Sequence, residues 1–381
     1  MFQVSSPLIC VVGARPNFMK MAAVLPALKS GGRPLDTRLV HTGQHYDAAM
    51  KSSFFRQLDI PEPDVDLGVG SGSHAVQTAE IMRRFEPIID SEKPCAVLVV
   101  GDVNSTIACA LVAVKKGVPV IHVEAGLRSG DRAMPEEINR ILTDQLSDFL
   151  FTTERVALDH LTREGIAAEK IHFVGNVMID TLLRLLPHSP EPADTLAKLA
   201  PESVLIGEPG SYGLLTLHRP SNVDVVEVLQ SLLRALADIS QEIPLIFPVH
   251  PRTLGQINKA GLQPLLADSK ILLLPPIGYL EMLGLMKRAR LVLTDSGGIQ
   301  EETTALGIPC VTLRENTERP ITLTQGTNTL VGIDVVKIRQ TVMDTLQTGG
   351  KSGRIPELWD GQAAVRIAEI LQGRFAHVCA R

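Results

Sequence analysis

The sequence predicts an α/β fold of two doubly wound domains, and three observations support this prediction. The chain has 381 residues, more than a single hydrophobic core usually holds. Short runs of Val, Ile and Leu alternate with helix-length segments, which is typical of parallel strands that helices cover on both faces. A stretch at 187–211 that is dense in Pro, Gly and charged residues breaks the alternation. A stretch of this composition is typical of a boundary between domains.

The part of the chain before this break contains short apolar runs separated by segments of helical length. Strands are predicted at Leu8–Val12, Thr37–His41, Ala96–Val100, Val118–Val123, Phe149–Thr152 and Ile171–Val174. Helices are predicted between them, at Pro16–Leu28, Ala75–Asp90, Ser105–Lys116, Glu137–Leu146 and Glu154–Arg163. Because strands and helices follow one another in a regular order, the expected sheet is parallel.

The part after the break repeats the same rhythm. Strands are predicted at Leu214–Leu217, Leu245–Val249, Lys270–Leu274, Leu291–Thr294 and Cys310–Leu313. A last helix is predicted at Ala363–Leu371, after a second Pro- and Gly-containing interruption. This half therefore predicts a second parallel sheet.

Composition and charge exclude several classes of function. The net charge is −5 and aromatic residues make up only 4%, so neither a positive field nor a set of stacking platforms favours nucleic acid. The longest apolar runs are about one strand long, far below the roughly 20 residues of a membrane span. We expect a cytoplasmic protein without a signal peptide, membrane or nucleic-acid partner.

Five scattered cysteines never form a C-x-x-C pair, which makes a zinc site improbable. Most of them stand in apolar runs, so we expect buried free thiols in a reducing compartment. They are Cys10, Cys95, Cys109, Cys310 and Cys379.

Clusters of unusual polar residues directly follow the predicted strands. Ligands of open parallel sheets bind outside the carboxyl ends of the strands, so these clusters are candidate parts of one site. If the two domains face each other, their strand ends line one cleft. An ordinary polar loop is the alternative for any single cluster, but so many together favour a site.

Two of these clusters predict anion binding at the start of a helix. Arg15 and Lys20 flank a predicted helix start, where cations oppose the helix dipole unless an anion is bound. Ser296, Gly297 and Gly298 follow a strand and open a helix, as a phosphate cradle does. The chain lacks both the dinucleotide and the P-loop patterns, so neither NAD nor ATP is indicated.

Three further residues, Glu302, His218 and Arg219, are candidates for roles in the site. Glu302 lies early in the helix after the glycines, where it can accept ribose hydroxyls or only balance the dipole. His218 and Arg219 follow a strand and precede a helix, which favours a site role. His250 lacks an adjacent arginine, and we interpret it as structural.

Three carboxylates at successive strand ends and a helix start predict acid–base chemistry, since acids in one pocket tune one another's pKa. They are Asp102, Glu124 and Glu136. Each has a structural alternative: Asp102 can cap a helix, Glu124 can pair with Arg128, and Glu136 can balance a helix dipole. No cluster of metal ligands is visible, so no metal is expected.

These residues stand in segments that resemble the non-hydrolysing UDP-N-acetylglucosamine 2-epimerase family. The segments run in order from Gly13 to Gly332: GARPNFMKMA, TGQHYD, GDVNST, HVEAGLRSGD, MPEEINRILTDQLSD, VGNVMIDTL, TLHRP, TDSGGIQEET, and TERP followed by GTNTLVG. The combination of EAGLR with DSGGIQEE is highly specific, unlike a lone glycine loop.

The resemblance implies a fold like that of the GT-B glycosyltransferases. This fold has two Rossmann-like domains, the active site in the cleft between them, and a C-terminal helix that crosses back to the first domain. The implied N-terminal domain comprises residues 1–186 with 363–381 and carries the carboxylates. Residues 187–211 form the linker, and residues 212–362 form the UDP-binding domain.

The resemblance also implies a reaction on a UDP-sugar: anti elimination of UDP to a 2-acetamidoglucal, and return of UDP to the opposite face. It requires no cofactor, and a homodimer is the implied assembly. Asp102, Glu124 and Glu136 resemble the family's acid–base carboxylates, and His218 a second catalytic or leaving-group residue. The residues that resemble the clamp on the nucleotide diphosphate are Arg15, Lys20, Ser296, Gly297, Gly298 and Arg319, with Glu302 on the ribose. We also infer that Arg219 helps to hold the diphosphate.

Two departures from the family pattern concern the first domain. Ala14 and Asn17 stand where many relatives read G-T-R-P-E. Tyr46-Asp47-Ala48 follow His45, whereas relatives activated by a second substrate molecule continue with R-E-M. This difference argues against allosteric activation by UDP-N-acetylglucosamine.

Three other functions compete with a UDP-N-acetylglucosamine epimerase. A sibling epimerase would act on another UDP-2-acetamido sugar, such as a diacetamido uronate or an acetamido deoxyhexose. No residue in these segments indicates which substituents carbons 3 and 6 of the sugar carry. A GT-B glycosyltransferase would share the nucleotide site but would not need three clustered acids. A silent nucleotide-sugar binder would not need the acids or His218.

Overall fold

The computed structural model describes residues 6–44, 55–203, 208–377 and 379. The chain divides into two compact units, Met1–Arg184 with Glu357–Arg381, and Leu185–Pro356. The motif residues His45 to Ala48 lie outside the described part of the chain, so the expectation about allosteric activation stays a prediction.

The first unit is built on a seven-stranded parallel sheet with the order β3-β2-β1-β4-β5-β6-β7. Its strands are β1 (Leu8–Val12), β2 (Thr37–His41), β3 (Val65–Asp66), β4 (Ala96–Val100), β5 (Val120–Ala125), β6 (Phe149–Thr152) and β7 (Ile171–Phe173). Its helices are α1 (Arg15–Lys29), α2 (His74–Glu92), α3 (Asn104–Lys115), α4 (Pro135–Leu146), α5 (Arg155–Arg163) and α6 (Val177–Leu185). The last of these ends one residue into the second unit.

The second unit is built on a six-stranded parallel sheet with the order β10-β9-β8-β11-β12-β13. Its strands are β8 (Gly213–Thr216), β9 (Leu245–Pro248), β10 (Ile271–Leu274), β11 (Leu291–Thr294), β12 (Cys310–Thr312) and β13 (Asn328–Leu330). Its helices are α7 (Pro192–Leu199), α8 (Pro220–Val223), α9 (Val226–Glu242), α10 (Pro251–Lys259), α11 (Pro264–Ala267), α12 (Tyr279–Arg288), α13 (Gly297–Leu306), α14 (Pro320–Thr324) and α15 (Val335–Thr348). A final helix, α16 (Ala363–Phe375), belongs to the first unit.

Both sheets have the doubly wound order that the sequence predicts. The direction of strand addition reverses between β1 and β4 in the first unit, and between β8 and β11 in the second. Such switch points open a crevice outside the carboxyl ends of the strands, where ligands bind. Each unit therefore has its own place for a site, and the predicted two-domain α/β fold class is confirmed.

Near-continuous apolar sequence explains why the central strands lie at the middle of each core. Every residue of β1 and of β4 is buried, since helices cover both faces of the sheet. In the second unit, Leu215, Leu293 and Val311 belong to the main hydrophobic cluster. Burial on both faces leaves the strand ends as the places where polar side chains meet.

Within the segment 187–211, predicted as a linker, helix α7 is a folded part of the second unit. Leu196 on α7 is fully buried in one cluster with Tyr212 and Leu285. The hydroxyl of Tyr212 also donates a 2.5 Å hydrogen bond to the Leu285 carbonyl. In the sequence, the many Pro and charged residues of this segment make the apolar side of α7 hard to recognise.

The chain returns to the first unit earlier than the predicted residue 363. Trp359 is buried there, and its indole N–H donates to the Thr153 carbonyl at 3.1 Å. Asp180 accepts hydrogen bonds from the amides of Ala363 and Ala364 at the start of α16. Trp359 thus anchors the returning segment before its helix begins.

The expectation of free cysteines is wrong for one pair. Cys95 and Cys379 form a disulfide with their Cα atoms 6.3 Å apart, although 284 residues separate them in the sequence. The remaining cysteines are free and buried, and burial raises the pKa of the Cys10 thiol to about 12. A sequence cannot show this pairing, because it depends on the returning segment. That segment docks where the Asp36 amide donates to the Cys379 carbonyl at 3.0 Å.

Among the described helices, none combines the length and apolar character that crossing a bilayer requires.

Candidate active site

The loop between β1 and α1 is tied to the neighbouring strand by Asn17. The Asn17 side-chain oxygen accepts hydrogen bonds from the amides of Gly13 and Ala14 at 3.1 and 3.0 Å, and its Nδ2 donates to the Val100 carbonyl at 2.8 Å. Arg15 is the first residue of α1 and is exposed. The departure from the family pattern at Asn17 therefore fixes the start of α1 against the end of β4.

Lys20 and Glu124, predicted in separate roles, form one buried ion pair. The Lys20 ammonium lies 2.6 Å from Glu124 Oε1, and the two side chains are 3% and 2% exposed. The alternative that pairs Glu124 with Arg128 is therefore wrong. An ammonium group has three N–H donors, so Lys20 has the chemical capacity to hold a phosphate oxygen beside this carboxylate.

Asp102 pairs with Arg140, a different cation from the one that pairs with Glu124. Arg140 on α4 directs Nε and Nη2 to Asp102 Oδ2, both at 3.0 Å. The Asn139 side chain donates to the Asp102 carbonyl at 2.9 Å. Helix α3 begins at Asn104 with Val103 at its N-cap, so Asp102 does not cap it. The carboxylate side chain remains 20% exposed, and solvent reaches it more easily than it reaches Glu124.

The first turn of α4 places Glu136 and its neighbour Glu137 in different surroundings. Glu136 is half-buried, and within the described residues its side chain has no hydrogen-bond or ionic partner. Its neighbour Glu137 is buried, accepts the amides of Ser129 and Gly130 at 3.0 and 2.9 Å, and pairs with Arg140. Burial alone would raise the Glu137 pKa, but these amides and the guanidinium together lower it below its usual value.

Asp144, two turns beyond Glu137 on α4, is a buried carboxylate that the sequence reasoning missed. It accepts hydrogen bonds from the His122 ring at 2.7 Å and the Gly126 amide at 3.1 Å, and it pairs with Arg128 at 2.7 Å. The available signal was the spacing of Glu137, Arg140 and Asp144, which places three ionisable side chains on one face of a helix.

In the second unit, Asp295 organises the loop that carries His218 and Arg219. It accepts both of their backbone amides at 2.8–3.1 Å, and the His218 ring lies 3.0 Å away. Burial would raise the Asp295 pKa, but the hydrogen bonds and charge of His218 and the Arg219 amide lower it overall. The His218 ring is 37% exposed. Asp295 thus supports a ring that remains accessible.

His250 lies beside this loop and has the structural role that the sequence predicts. Its Nδ1 accepts the Arg252 amide at 3.2 Å and caps α10. The ring centroids of His250 and His218 are 5.7 Å apart. His250 therefore also packs against the predicted site histidine.

The predicted phosphate cradle is the N-terminus of α13. Its cap residue, Ser296, makes no side-chain capping bond, which leaves room for an anion at the first turn. The Ser296 amide itself is used, since it donates to Thr294 Oγ1 at 2.9 Å. A Cβ at Gly297 would lie 2.7 Å from both an Arg319 nitrogen and a Glu318 oxygen. A side chain at this position would therefore have to displace the ends of the Arg319 and Glu318 side chains.

This arginine cluster surrounds Glu318, which the sequence reasoning did not single out. The Arg319, Arg314 and Arg219 guanidinium groups lie 2.6, 2.8 and 3.9 Å from its carboxylate. Arg319 also lies 2.9 Å from Glu301. Three guanidinium groups therefore lie beside the start of α13, and guanidinium N–H donors are suited to an anionic ligand.

Glu302 lies on α13 behind the cradle. It is 4% exposed, and the Tyr279 hydroxyl donates to its Oε1 at 2.9 Å. A hydrogen bond of this kind orients the carboxylate, which dipole compensation alone does not require. Glu302 thus has the geometry of an oriented hydrogen-bond acceptor.

Each unit therefore brings together a different kind of chemistry. The first unit places cation-bound carboxylates at the ends of β4 and β5, and the second places an arginine-backed helix N-terminus after β11. Both locations lie at the switch point of their own sheet. In the described part of the chain, no group of His, Cys, Asp and Glu is arranged to hold a metal ion.

Comparison with known proteins assigns this arrangement to a family. The family model described as UDP-N-acetylglucosamine 2-epimerase matches residues 29–372. A Methanococcus maripaludis UDP-N-acetylglucosamine 2-epimerase is 43% identical over 360 residues, 91% of this chain and 95% of its own length. A Pseudomonas aeruginosa UDP-2,3-diacetamido-2,3-dideoxy-D-glucuronate 2-epimerase is also 43% identical, over 96% of this chain and 99% of its own.

A solved structure agrees with both sequence relatives. The Methanocaldococcus jannaschii UDP-GlcNAc 2-epimerase, crystallised with UDP-GlcNAc and UDP, is similar with a TM-score of 0.87 and 40% identity. The match covers 96% of this chain and 99% of that one. The two-domain, Rossmann-like fold is therefore GT-B-like, as the resemblance implied. The chain belongs to the UDP-N-acetylglucosamine 2-epimerase family.

Proposed function

We propose that the protein reversibly epimerises UDP-N-acetylglucosamine at C2 to UDP-N-acetylmannosamine, by elimination of UDP and its re-addition. The observation that carries the proposal is the pair of cation-bound carboxylates, Asp102 and Glu124, at the ends of adjacent strands. Epimerisation needs proton transfer at two faces of one carbon, and two acids in fixed positions are suited to this.

The first half-reaction breaks the C2–H bond and the C1–O bond to the diphosphate. The C2 proton is only weakly acidic, so a positioned base must act while UDP departs. We assign proton transfer to Asp102, Glu124 and Glu136. Arg140 and Lys20 hold the carboxylates of Asp102 and Glu124, respectively, in fixed positions, as a positioned base requires.

The second unit supplies the groups for the leaving UDP. Negative charge grows on the diphosphate as the C1–O bond breaks, and helix amides with nearby cations stabilise such charge. We assign this role to the Ser296–Gly298 turn and to His218, with Glu302 on the ribose hydroxyls. The cations that would hold the diphosphate are Arg15, Lys20, Arg219 and Arg319.

Atoms and electrons balance without a redox partner. One proton leaves C2 and UDP leaves C1 to give a 2-acetamidoglucal. A proton then adds to the opposite face of C2 while UDP returns to C1. Elimination and re-addition cause no net oxidation of the sugar, so the reaction needs no nicotinamide.

Isotope exchange tests the proposal directly. The protein is incubated with UDP-N-acetylglucosamine in deuterated water, without a sugar acceptor, and the sugar is followed by proton NMR. We expect a manno-configured product with deuterium at C2. Absence of exchange with this sugar refutes the proposal.

A matched pair of variants tests the acid assignment. Asp102→Asn should abolish exchange while UDP binding persists, because the amide cannot accept the proton. Asp159→Asn makes the same chemical change at an exposed position of α5, and it should exchange like the wild type. Exchange that survives in Asp102→Asn contradicts the assignment.

A second candidate substrate follows from the Pseudomonas aeruginosa relative, which is as similar as the Methanococcus maripaludis protein. The same assay with UDP-2,3-diacetamido-2,3-dideoxy-D-glucuronate separates the two. Deuterium entry with this sugar alone makes it the substrate.

The proposal extends to a cytoplasmic homodimer that supplies an activated sugar for polysaccharide biosynthesis. Ile138 and Leu142 are 42% and 49% exposed on successive turns of α4, and apolar patches of this kind favour a protein contact. Sedimentation of the wild type and Leu142→Asp tests the dimer, since a monomeric wild type contradicts it. Three buried thiols are free, as in a reducing compartment, whereas the Cys95–Cys379 disulfide is of a kind that is rare there; cell fractionation tests the cytoplasmic location.

A further inference from the structure

The backbone at Glu124 adopts a conformation that side chains rarely take. Its φ is +73°, in the left-handed region, and the register between β5 and β6 shifts between Val123 and Ala125. A non-glycine residue in this region is strained and persists only where surrounding contacts fix it. The contacts that fix Glu124 therefore also determine where its carboxylate points.

Asp144 holds the chain on both sides of this strained residue. Its Oδ1 lies 2.7 Å from Nδ1 of His122, two residues before Glu124. Its Oδ2 accepts the amide of Gly126, two residues after Glu124, at 3.1 Å. Asp144 and His122 are both completely buried. One carboxylate thus spans the bulge that presents Glu124.

The same network extends to the loop that carries Asp102. The second ring nitrogen of His122, Nε2, lies 2.8 Å from the carbonyl oxygen of Gly101. A carbonyl oxygen can only accept, so Nε2 must carry a proton and donate. Gly101 has φ +66° and directly precedes Asp102. His122 therefore joins the turn before Asp102 to the strand before Glu124.

Arg128 completes the surroundings of Asp144. Its Nη2 lies 2.7 Å from Asp144 Oδ2 and 2.6 Å from Glu164 Oε2. Glu164 contacts neither the turn before Asp102 nor the bulge at Glu124 in any hydrogen bond of the described residues. Asp144 and Glu164 thus both pair with the Arg128 guanidinium. Of the two, only Asp144 also hydrogen-bonds to the residues around Glu124 and, through His122, connects to the turn before Asp102.

We infer that Asp144, through His122 and the Gly126 amide, is a positioning residue that sets the locations of Asp102 and Glu124 relative to each other. Asp144 touches no reacting atom in this assignment, and it acts only through the backbone that carries the two acids. The inference rests on the proposed function, since it requires that both carboxylates transfer protons in one reaction.

The test compares Asp144→Asn with Glu164→Gln in the full-length protein. Asparagine keeps the size of the side chain but removes its negative charge, and its amide nitrogen can only donate at the position where Asp144 Oδ1 accepts from Nδ1 of His122. A misplacement of a reacting group by about 1 Å costs about 100-fold in rate. We expect kcat for epimerisation to fall about 100-fold in Asp144→Asn, with KM for the UDP-sugar within about threefold of the wild-type value.

The control and the outcomes separate positioning from mere stabilisation. Glu164→Gln removes an ionic partner from the same arginine and should leave kcat and KM within about threefold of the wild type. Equal kcat values for the two variants overturn the inference, as does a rise in KM at constant kcat. A wild type that exchanges no deuterium refutes the proposed function instead.

A second variant keeps the test decisive if Asp144→Asn does not fold. His122→Gln leaves the bonds of Asp144 to Gly126 and Arg128 in place but breaks the fixed connection to Gly101. It should also lower kcat while KM stays close to the wild-type value. Full activity in a folded His122→Gln protein overturns the inference.

Discussion

Substitution of Lys20 by Met removes the ammonium group from a carboxylate that the fold keeps almost entirely out of water. The bonded atoms of Lys20 and Glu124 lie 2.6 Å apart, and the two side chains are 3% and 2% exposed. Removing one partner of such a buried pair typically costs about 3–5 kcal/mol, because the remaining charge stays desolvated. We expect the free energy of unfolding of the first unit to fall by about this amount.

The protein provides its own probe for this measurement. Trp359 is the single tryptophan, and it is buried in the first unit against the Thr153 carbonyl. Its fluorescence during urea unfolding therefore reports on the first unit. With a urea dependence of about 2–3 kcal/mol per molar, the midpoint should fall by roughly 1–2.5 M.

Two control variants make the result interpretable. Lys116→Met removes a cation from Glu86 and Asp90, whose side chains are 55% and 58% exposed, and such surface pairs contribute only about 0–1 kcal/mol. Adding Glu124→Gln to Lys20→Met should recover most of the lost stability, since no buried charge then remains. The reasoning is refuted if Lys20→Met costs no more than Lys116→Met, or if the double variant recovers nothing.

Three further outcomes follow from the described contacts. The pKa of Asp295 lies below its ordinary value of 3.8, so its contribution to stability is present above about pH 4 and is lost as the pH falls through the lowered pKa. The stability gap between wild type and Asp295→Asn, measured by circular dichroism in urea, should therefore shrink below about pH 4. Gly101→Ala introduces a side chain at φ +66° and 2.6 Å from the Lys20 ammonium; we expect a loss of about 1–3 kcal/mol in the Trp fluorescence assay. A reducing agent should lower wild-type stability by about 2–4 kcal/mol but leave Cys95→Ser unchanged, and equal sensitivity in both proteins would exclude the disulfide to Cys379 as the cause.

The strands were predictable from the sequence because apolar runs are long enough to fill a buried sheet. Leu8–Val12, Ala96–Val100 and Leu291–Thr294 have the predicted bounds. The edge strands Val65–Asp66 and Asn328–Leu330 were missed. The first is only two residues long, and the second begins with Asn328, whose side-chain oxygen accepts a hydrogen bond from Thr312. Polar edge strands lack the apolar pattern on which the prediction depends.

The location of the candidate site was predictable, but its pairings were not. A sequence shows which strand end a residue follows, and this placed Asp102 and Glu124 correctly at the ends of β4 and β5. It does not show which side chain reaches across from another element. Lys20 is 104 residues from its partner Glu124, and Arg140 is 38 residues from Asp102.

Neighbouring residues on a helix pose a further difficulty. Glu136 and Glu137 are adjacent in sequence, yet a helix turns their side chains about 100° apart. Only Glu137 is buried and bonded to the loop at Ser129 and Gly130. Both residues are glutamates in the same motif, so the sequence does not distinguish them. Only the orientation of the helix decides which of the two side chains is buried.

The return of Glu357–Arg381 to the first unit has a consequence for synthesis of the protein. The chain leaves this unit at Arg184 and re-enters it at Glu357, so the second unit is an insertion. During translation, the second unit emerges from the ribosome before Trp359 and α16 emerge. Domains generally fold as units while the chain is made. The second unit can therefore finish folding while the first unit still lacks helix α16. The unit whose synthesis begins earlier is thus the later of the two to finish folding.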